Sequence, residues 1–240
     1  LVYTYSYKGN FNGALKQLRE LEHLVEQKND SASFANYYST AGLFYGMQSK
    51  YDSSIYFYEK AIPLYERSGN RMRASQSASN IAIAYQQQSN YAQALYYQQK
   101  SLKIHEEDGN ISGQAYTTVN LANTYHNMGD KQRAESYFLK SIELSKKKQL
   151  TNVELYAYTN LSSMFLDMLQ WQKAYDYAME ASKLGGKMGD KGIQAASFSK
   201  AALAKTRQNE YAEALALSKQ AIALADSVNQ PMITQQAYSS

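Results

Sequence analysis

Cysteine is absent from the 240 residues, which excludes a disulfide framework and any thiolate metal site and leaves the redox compartment open. Proline occurs twice and glycine twelve times, with no tract of either. An all-β sandwich, a collagen-like rod and a flexible linker are thereby excluded. No run approaches the roughly 18 apolar residues of a membrane span. The opening LVYTYSYKGN has neither the basic nor the long apolar stretch of a secretion signal, so the segment reads as one excised from a longer chain. Cytoplasm and periplasm both fit these absences, with the cytoplasm favoured. Neither sign of charge dominates: 25 Lys and Arg stand against 21 Asp and Glu, a net +4, and the two halves carry similar balances. No strong field is set up for nucleic acid or a membrane surface. The densest run, Lys146, Lys147 and Lys148, reads as the solvated end of a helix, where cations suit the dipole.

What is present is a repeat. Sliding the chain by forty residues brings it into register without a gap: full repeats at 31–70, 71–110, 111–150, 151–190 and 191–230 follow a truncated one at 1–30, and 231–240 resembles the start of another or a cap. This is a single array over 1–240. Counting positions from Ser31 as 1, position 24 holds Ala14, Ser54, Ala94, Ala134, Ala174 and Ala214, and position 15 holds Tyr5, Tyr45, Tyr85, Tyr125, Phe165 and Lys205. Apolar residues fall at helical spacing on two stretches per repeat, positions 8 to 15 and 21 to 34, so each repeat is a helix pair. Turns are marked by Gly9-Asn10, Ser49-Lys50, Ser89-Asn90, Gly129-Asp130, Leu169-Gln170 and Asn209-Glu210, mostly residues that tolerate the left-handed conformation ending a helix. Such short loops require antiparallel neighbours. The small residue at 24 admits a close approach, with the aromatics at 15 and 21 (Phe11, Tyr51, Tyr91, Trp171, Tyr211) expected to fill the space beside it. The ring of Pro63, inside a second helix, is expected to bend it. No pair buries its face alone; stacked pairs do, giving an all-α, right-handed superhelical solenoid.

The columns Ala122, Tyr125, Gly129, Ala134, Phe138 and Ser141, and in the preceding repeat Ala82, Tyr85, Ala94 and Ser101, resemble the signature of the tetratricopeptide repeat, and the likeness covers the whole chain. Two departures stand out: a period of forty residues against the usual 34 or so, and the absence of the proline that often closes the family's repeat. The longer form is similar to the repeats of bacterial peptide-sensing regulators, of sensor regions joined to kinases or DNA-binding domains, and of kinesin light chains. That resemblance implies a non-catalytic region that binds a protein or peptide, part of a larger bacterial regulatory protein.

The residues offer catalysis little. His23, His105 and His126 occupy unequal repeat positions, so the array does not gather them, and no phosphate loop, dinucleotide fingerprint or zinc helix is present. Glu106, Glu107 and Asp108 read as a solvated cluster without the alternating spacing of a calcium loop. No cofactor and no metal are expected.

The first helices should line the concave side, with positions 6, 10, 13 and 17 on one stripe. This stripe holds Asn36, Thr40, Leu43 and Met47; Gln76, Asn80, Ile83 and Gln87; Tyr116, Asn120, Asn123 and Asn127; Tyr156, Asn160, Ser163 and Asp167; and Ala196, Lys200, Leu203 and Arg207. Asn80, Asn120 and Asn160 recur at position 10, where asparagine costs helix propensity. An amide carries both a donor and an acceptor, so such a ladder suits the backbone of an extended ligand, and the resemblance implies backbone contact by these three. The alternative is that each amide bonds within the stack. Tyr116 and Tyr156 beside the ladder offer apolar contact with a polar tip, or pack between first helices. Lys200 and Arg207 suit a carboxylate, unless Asp167 neutralises them. The expected partner is therefore a protein or peptide segment in a groove, with no nucleic acid and no membrane contact within this segment. Self-association through the uncapped ends is expected as a side effect. The competing function is a structural scaffold or dimerisation element with an empty groove.

Overall fold

A computed structural model of the chain describes residues 1–227. Among them twelve helices follow one another: α1 (Val2–Tyr7), α2 (Phe11–Lys28), α3 (Ser31–Met47), α4 (Tyr51–Arg67), α5 (Arg71–Gln87), α6 (Tyr91–Glu107), α7 (Ile111–Asn127), α8 (Lys131–Lys148), α9 (Thr151–Asp167), α10 (Trp171–Met188), α11 (Lys191–Arg207) and α12 (Tyr211–Ser227). The end of the last expected repeat, 228–230, and the segment 231–240 lie outside the described residues. Contacts divide the chain into two compact units, Leu1–Thr124 and Tyr125 onward, with the boundary inside α7. Within each unit consecutive helices pack neighbour on neighbour, α3 on α4 on α5 on α6 in the first and α8 through α12 in the second. This is the all-α stack of helix pairs, the fold class expected from the repeat.

Each turn is built by one left-handed residue followed by the first cap of the next helix. Gly9, Gly69, Gly109, Gly129 and Gly189 take the positive φ, and so do Asn29, Ser49, Ser89, Gln149, Leu169 and Asn209. A side-chain oxygen of Asn10, Asp30, Asn70, Asn90, Asn110, Asp130 or Asp190 then accepts from the backbone N–H three residues on, at 2.8 to 3.3 Å. Each such cap contributes about 1 kcal/mol. Leu169, at φ 57° and 67% exposed, gains no burial for a conformation that costs an L-residue about 1–2 kcal/mol.

Within a pair, the small residue at position 24 lies opposite the first helix. In the first unit Ser54 Oγ donates to the carbonyl of Gly42 at 2.8 Å; in the second Ser162 Oγ donates to that of Ala174 at 2.9 Å. Because that place is always small, the ring facing position 15 comes from one turn further along, position 27. Tyr45 stacks on Phe57 with centroids 5.3 Å apart and Tyr85 on Tyr97 at 5.9 Å. In the second unit Tyr125 stacks on Tyr137 at 5.3 Å and Phe165 on Tyr177 at 5.5 Å. Such pairs contribute about 0.5–1.5 kcal/mol beyond area. The rings at position 21 lie further out: Phe11, Tyr51, Tyr91 and Trp171 are half-buried, with Phe11 and Tyr51 packed against the core, and Tyr211 is exposed. Lys205 stands where the last pair lacks its aromatic, with Nζ 2.9 Å from Glu210, 3.1 Å from Glu213 and 4.4 Å from the centre of the Tyr175 ring. Pro63 sits exposed on α4, which continues through it to Arg67.

Successive pairs fit by exchanging bulk. In the first unit His105 packs over Gly113, where an added Cβ would collide with the imidazole. At the same two repeat positions the second unit holds Gly185 and Ile193.

Candidate functional site

First helices of successive pairs touch, α3 with α5 in the first unit and α9 with α11 in the second, and leave clefts along their exposed edges. One cleft in the first unit is lined by Met72, Ser75, Gln76, Ser79 and Asn80 of α5, His105 of α6, and Gly113, Tyr116, Thr117 and Asn120 of α7. In the second unit Asn152, Leu155, Tyr156 and Thr159 of α9, with Met188 and Asp190, face Ile193, Ala196, Ser197 and Lys200 of α11. Eighty residues apart, the two clefts use the same repeat positions: Ser75 corresponds to Leu155, Gln76 to Tyr156, Tyr116 to Ala196 and Asn120 to Lys200.

The repeated asparagines differ in what they hold. Asn36 Oδ1 accepts from the Tyr65 hydroxyl at 3.0 Å, and Asn80 Nδ2 donates to the Tyr58 hydroxyl at 2.9 Å. Asn160 Nδ2 donates to the carbonyl of Tyr156 in its own helix at 2.9 Å. Among the described residues the Asn120 side chain has no hydrogen-bond partner; only its backbone carbonyl is engaged, by Thr124 Oγ1 at 3.1 Å. Gln76 is exposed, Tyr116 is 52% and Tyr156 49% exposed. Asn123 is engaged within the protein, and Asn127 is exposed in the second-unit part of α7.

Lys200 is half-buried in its cleft; Nζ donates to Ser163 Oγ at 2.7 Å and to the Thr159 carbonyl at 3.3 Å. No carboxylate pairs with it among the described residues, and burial holds its ammonium below the usual lysine range. Arg207 borders a separate recess with Leu166, Asp167, Leu169, Trp171 and Leu203 near the α9–α10 turn. No ion pair joins Asp167 to Lys200 or Arg207 among the described residues. Positions 6 and 10 of the expected stripe thus line the clefts. Positions 2, 5, 7 and 9, one residue around the helix, line them too and were missed because an unpaired helix face does not say which edge its neighbour leaves open. His105 is similarly unforeseen: it reaches the cleft only because Gly113 makes room.

Burial lowers the pKa of both His105 and His126. Among the described residues no group of three or more His, Asp or Glu is placed to hold a metal ion. In the first unit Arg71 pairs with Glu107 and, at 2.8 Å, with Asp108, so the acidic cluster is tied to a guanidinium. Among the described residues no helix is long and apolar enough to cross a membrane.

The sequence model of the tetratricopeptide repeat matches residues 33–107 and 73–147. No curated protein matches the chain. Several solved structures share the fold. A signal transduction ATPase with numerous domains and a tetratricopeptide repeat sensor, from Pyrococcus horikoshii, superposes with a TM-score of 0.84 at 16% identity, over 99% of this chain and 37% of that one. The apo form of the quorum sensor NprR from B. thuringiensis gives 0.73 at 16% identity, over 99% of this chain and 68% of the other. A Rap protein complexed with Competence and Sporulation Factor gives 0.66 at 16% identity, over 99% and 71%.

Proposed function

As the chain belongs to the tetratricopeptide repeat family, whose repeats are in general protein-interaction modules, we propose that it binds an extended protein or peptide segment across its first helices. We propose further that it is the non-catalytic sensor or interaction region of a larger bacterial regulatory protein. The observation that carries this reading is the cleft of the first unit, where Gln76, Tyr116 and Asn120 converge with exposed or unengaged side chains. A free amide beside a half-exposed ring is what backbone recognition with apolar contact requires. The presence of sensor proteins among the structural neighbours supports the regulatory part. The bonds of Asn36 to Tyr65 and of Asn80 to Tyr58 support a structural role for those two amides, so recognition rests on Asn120 rather than on a uniform ladder.

The test is selection from a random peptide display library, followed by fluorescence polarisation with the enriched peptide. Asn120→Ala and Tyr116→Ala should each weaken binding about five- to thirtyfold without lowering the melting temperature. No enrichment, or equal binding by both variants, would remove the segment-binding reading in favour of the scaffold.

A further inference from the structure

The second unit's cleft has a different chemistry from the first. We infer that the cleft between α9 and α11 is a binding site for a small amphipathic monocarboxylate, a free acid whose carboxylate meets Lys200 and whose hydrocarbon body lies on Leu155, Ile193 and Ala196. This inference goes beyond the segment-binding reading and does not rest on it.

Three observations carry it. First, the ammonium of Lys200 has two neutral partners, Ser163 Oγ at 2.7 Å and the Thr159 carbonyl at 3.3 Å, and no carboxylate among the described residues. A lysine drawn partly out of water normally carries a counter-ion, as the buried Lys205 does through Glu210 and Glu213, because an uncompensated charge away from water is costly. An ammonium has three N–H donors, so one remains for an incoming oxygen, and the incoming charge offsets the burial.

Second, the lining gains aliphatic side chains and room: Leu155 stands where the first unit has Ser75, Ile193 where it has Gly113, and Ala196 in place of the bulkier Tyr116. The recess has a volume of about 350 Å³, at the lower end of the range of small-ligand sites. It lies between two helices, the shape for a compact molecule rather than a chain crossing several repeats. Third, the cleft is polarised. Asp190 caps the start of α11, ten residues and so roughly 15 Å of helix from Lys200, with its carboxylate held by the backbone N–H of Ile193 at 2.9 Å. An anionic head is repelled there and drawn to Lys200, leaving the tail along Ile193 and Leu155.

The experiment is calorimetric titration of the whole chain with octanoate, with octanamide as its uncharged counterpart, and with a short peptide ending in leucine, free or amidated at its C-terminus. Octanoate should saturate one site, with octanamide at least about tenfold weaker. Lys200→Met should lose octanoate at least tenfold while keeping the helical signal, since it removes an uncompensated charge and retains the stem. Ala196→Phe, which fills the recess, should lose it independently. Unsaturable octanoate binding, equal affinity for octanamide, or undiminished binding by both variants would overturn the site. A free C-terminal peptide that binds where octanoate does not would overturn the free acid as occupant. Loss of library-peptide binding in the Asn120→Ala experiment, by contrast, leaves this result untouched.

Discussion

Asn80 and Asn120 occupy the same place in consecutive repeats, and the structure separates them by one hydrogen bond. Tyr58 is 2% exposed, and its hydroxyl receives the Asn80 amide at 2.9 Å. Asn80→Ala leaves that hydroxyl buried without a partner, which costs about 1–3 kcal/mol. For a chain of this size each kcal/mol moves the melting temperature by about 2–4 °C, so the expected fall is roughly 2–12 °C. Asn120→Ala removes an amide with no side-chain bond, and alanine is the better helix former by roughly half a kcal/mol, so its melting temperature should hold or rise by about 1–2 °C. Tyr58→Phe added to Asn80→Ala takes away the orphaned hydroxyl and should recover part of the loss. Circular dichroism melts and urea midpoints of the four proteins measure all of this. Equal losses for Asn80→Ala and Asn120→Ala, or a double variant less stable than Asn80→Ala, would refute the argument.

Two further expectations follow from the turns and the tyrosines. Leu169→Gly relieves a left-handed leucine that is 67% exposed; after glycine's greater unfolded-state entropy is subtracted it should gain up to about 1 kcal/mol, and a lowered urea midpoint would contradict this. Burial raises the pKa of Tyr37, Tyr58 and Tyr97, and in Tyr37 and Tyr97 bonds to Glu22 at 2.6 Å and Glu59 at 2.7 Å add to it. A phenol whose folded pKa lies above its unfolded 10.0 contributes stability that is complete below that value and lost as pH climbs beyond it. Lys200, lowered by burial, works the other way. The three phenols outnumber it, so the urea midpoint should fall above about pH 10, with part of the 23 tyrosines ionising only on unfolding. Ionisation of all of them in one step while the helical signal persists would refute it.

The forty-residue period was legible because it is written in small residues and turn residues, whose demands are local: a left-handed backbone at Gly129 or Ser89 and a close approach at Ala134 need no knowledge of the neighbouring pair. The place of the aromatic partner was not, since Tyr45 finds Phe57 rather than Tyr51 only through the geometry of two packed helices. The asparagines show the same limit more sharply. Whether the amide at position 10 is held by the preceding repeat depends on position 28 of that repeat. Tyr58 there is long enough to reach Asn80, whereas Gln98 at that position accepts from Thr124 at 3.0 Å, and Asn120 is left without a partner. A column read alone makes the three amides equivalent; read against the column it faces, it divides them. Lys200 and Arg207 come apart for a related reason. Two helical turns along α11 separate them by roughly 10 Å, enough to put one beside Thr159 and Ser163 and the other at the rim with Asp167. Which amides such an array leaves free is therefore set by pairs of columns, and a substitution at Tyr58 or Gln98, on the second helices that face the amides, should redistribute them.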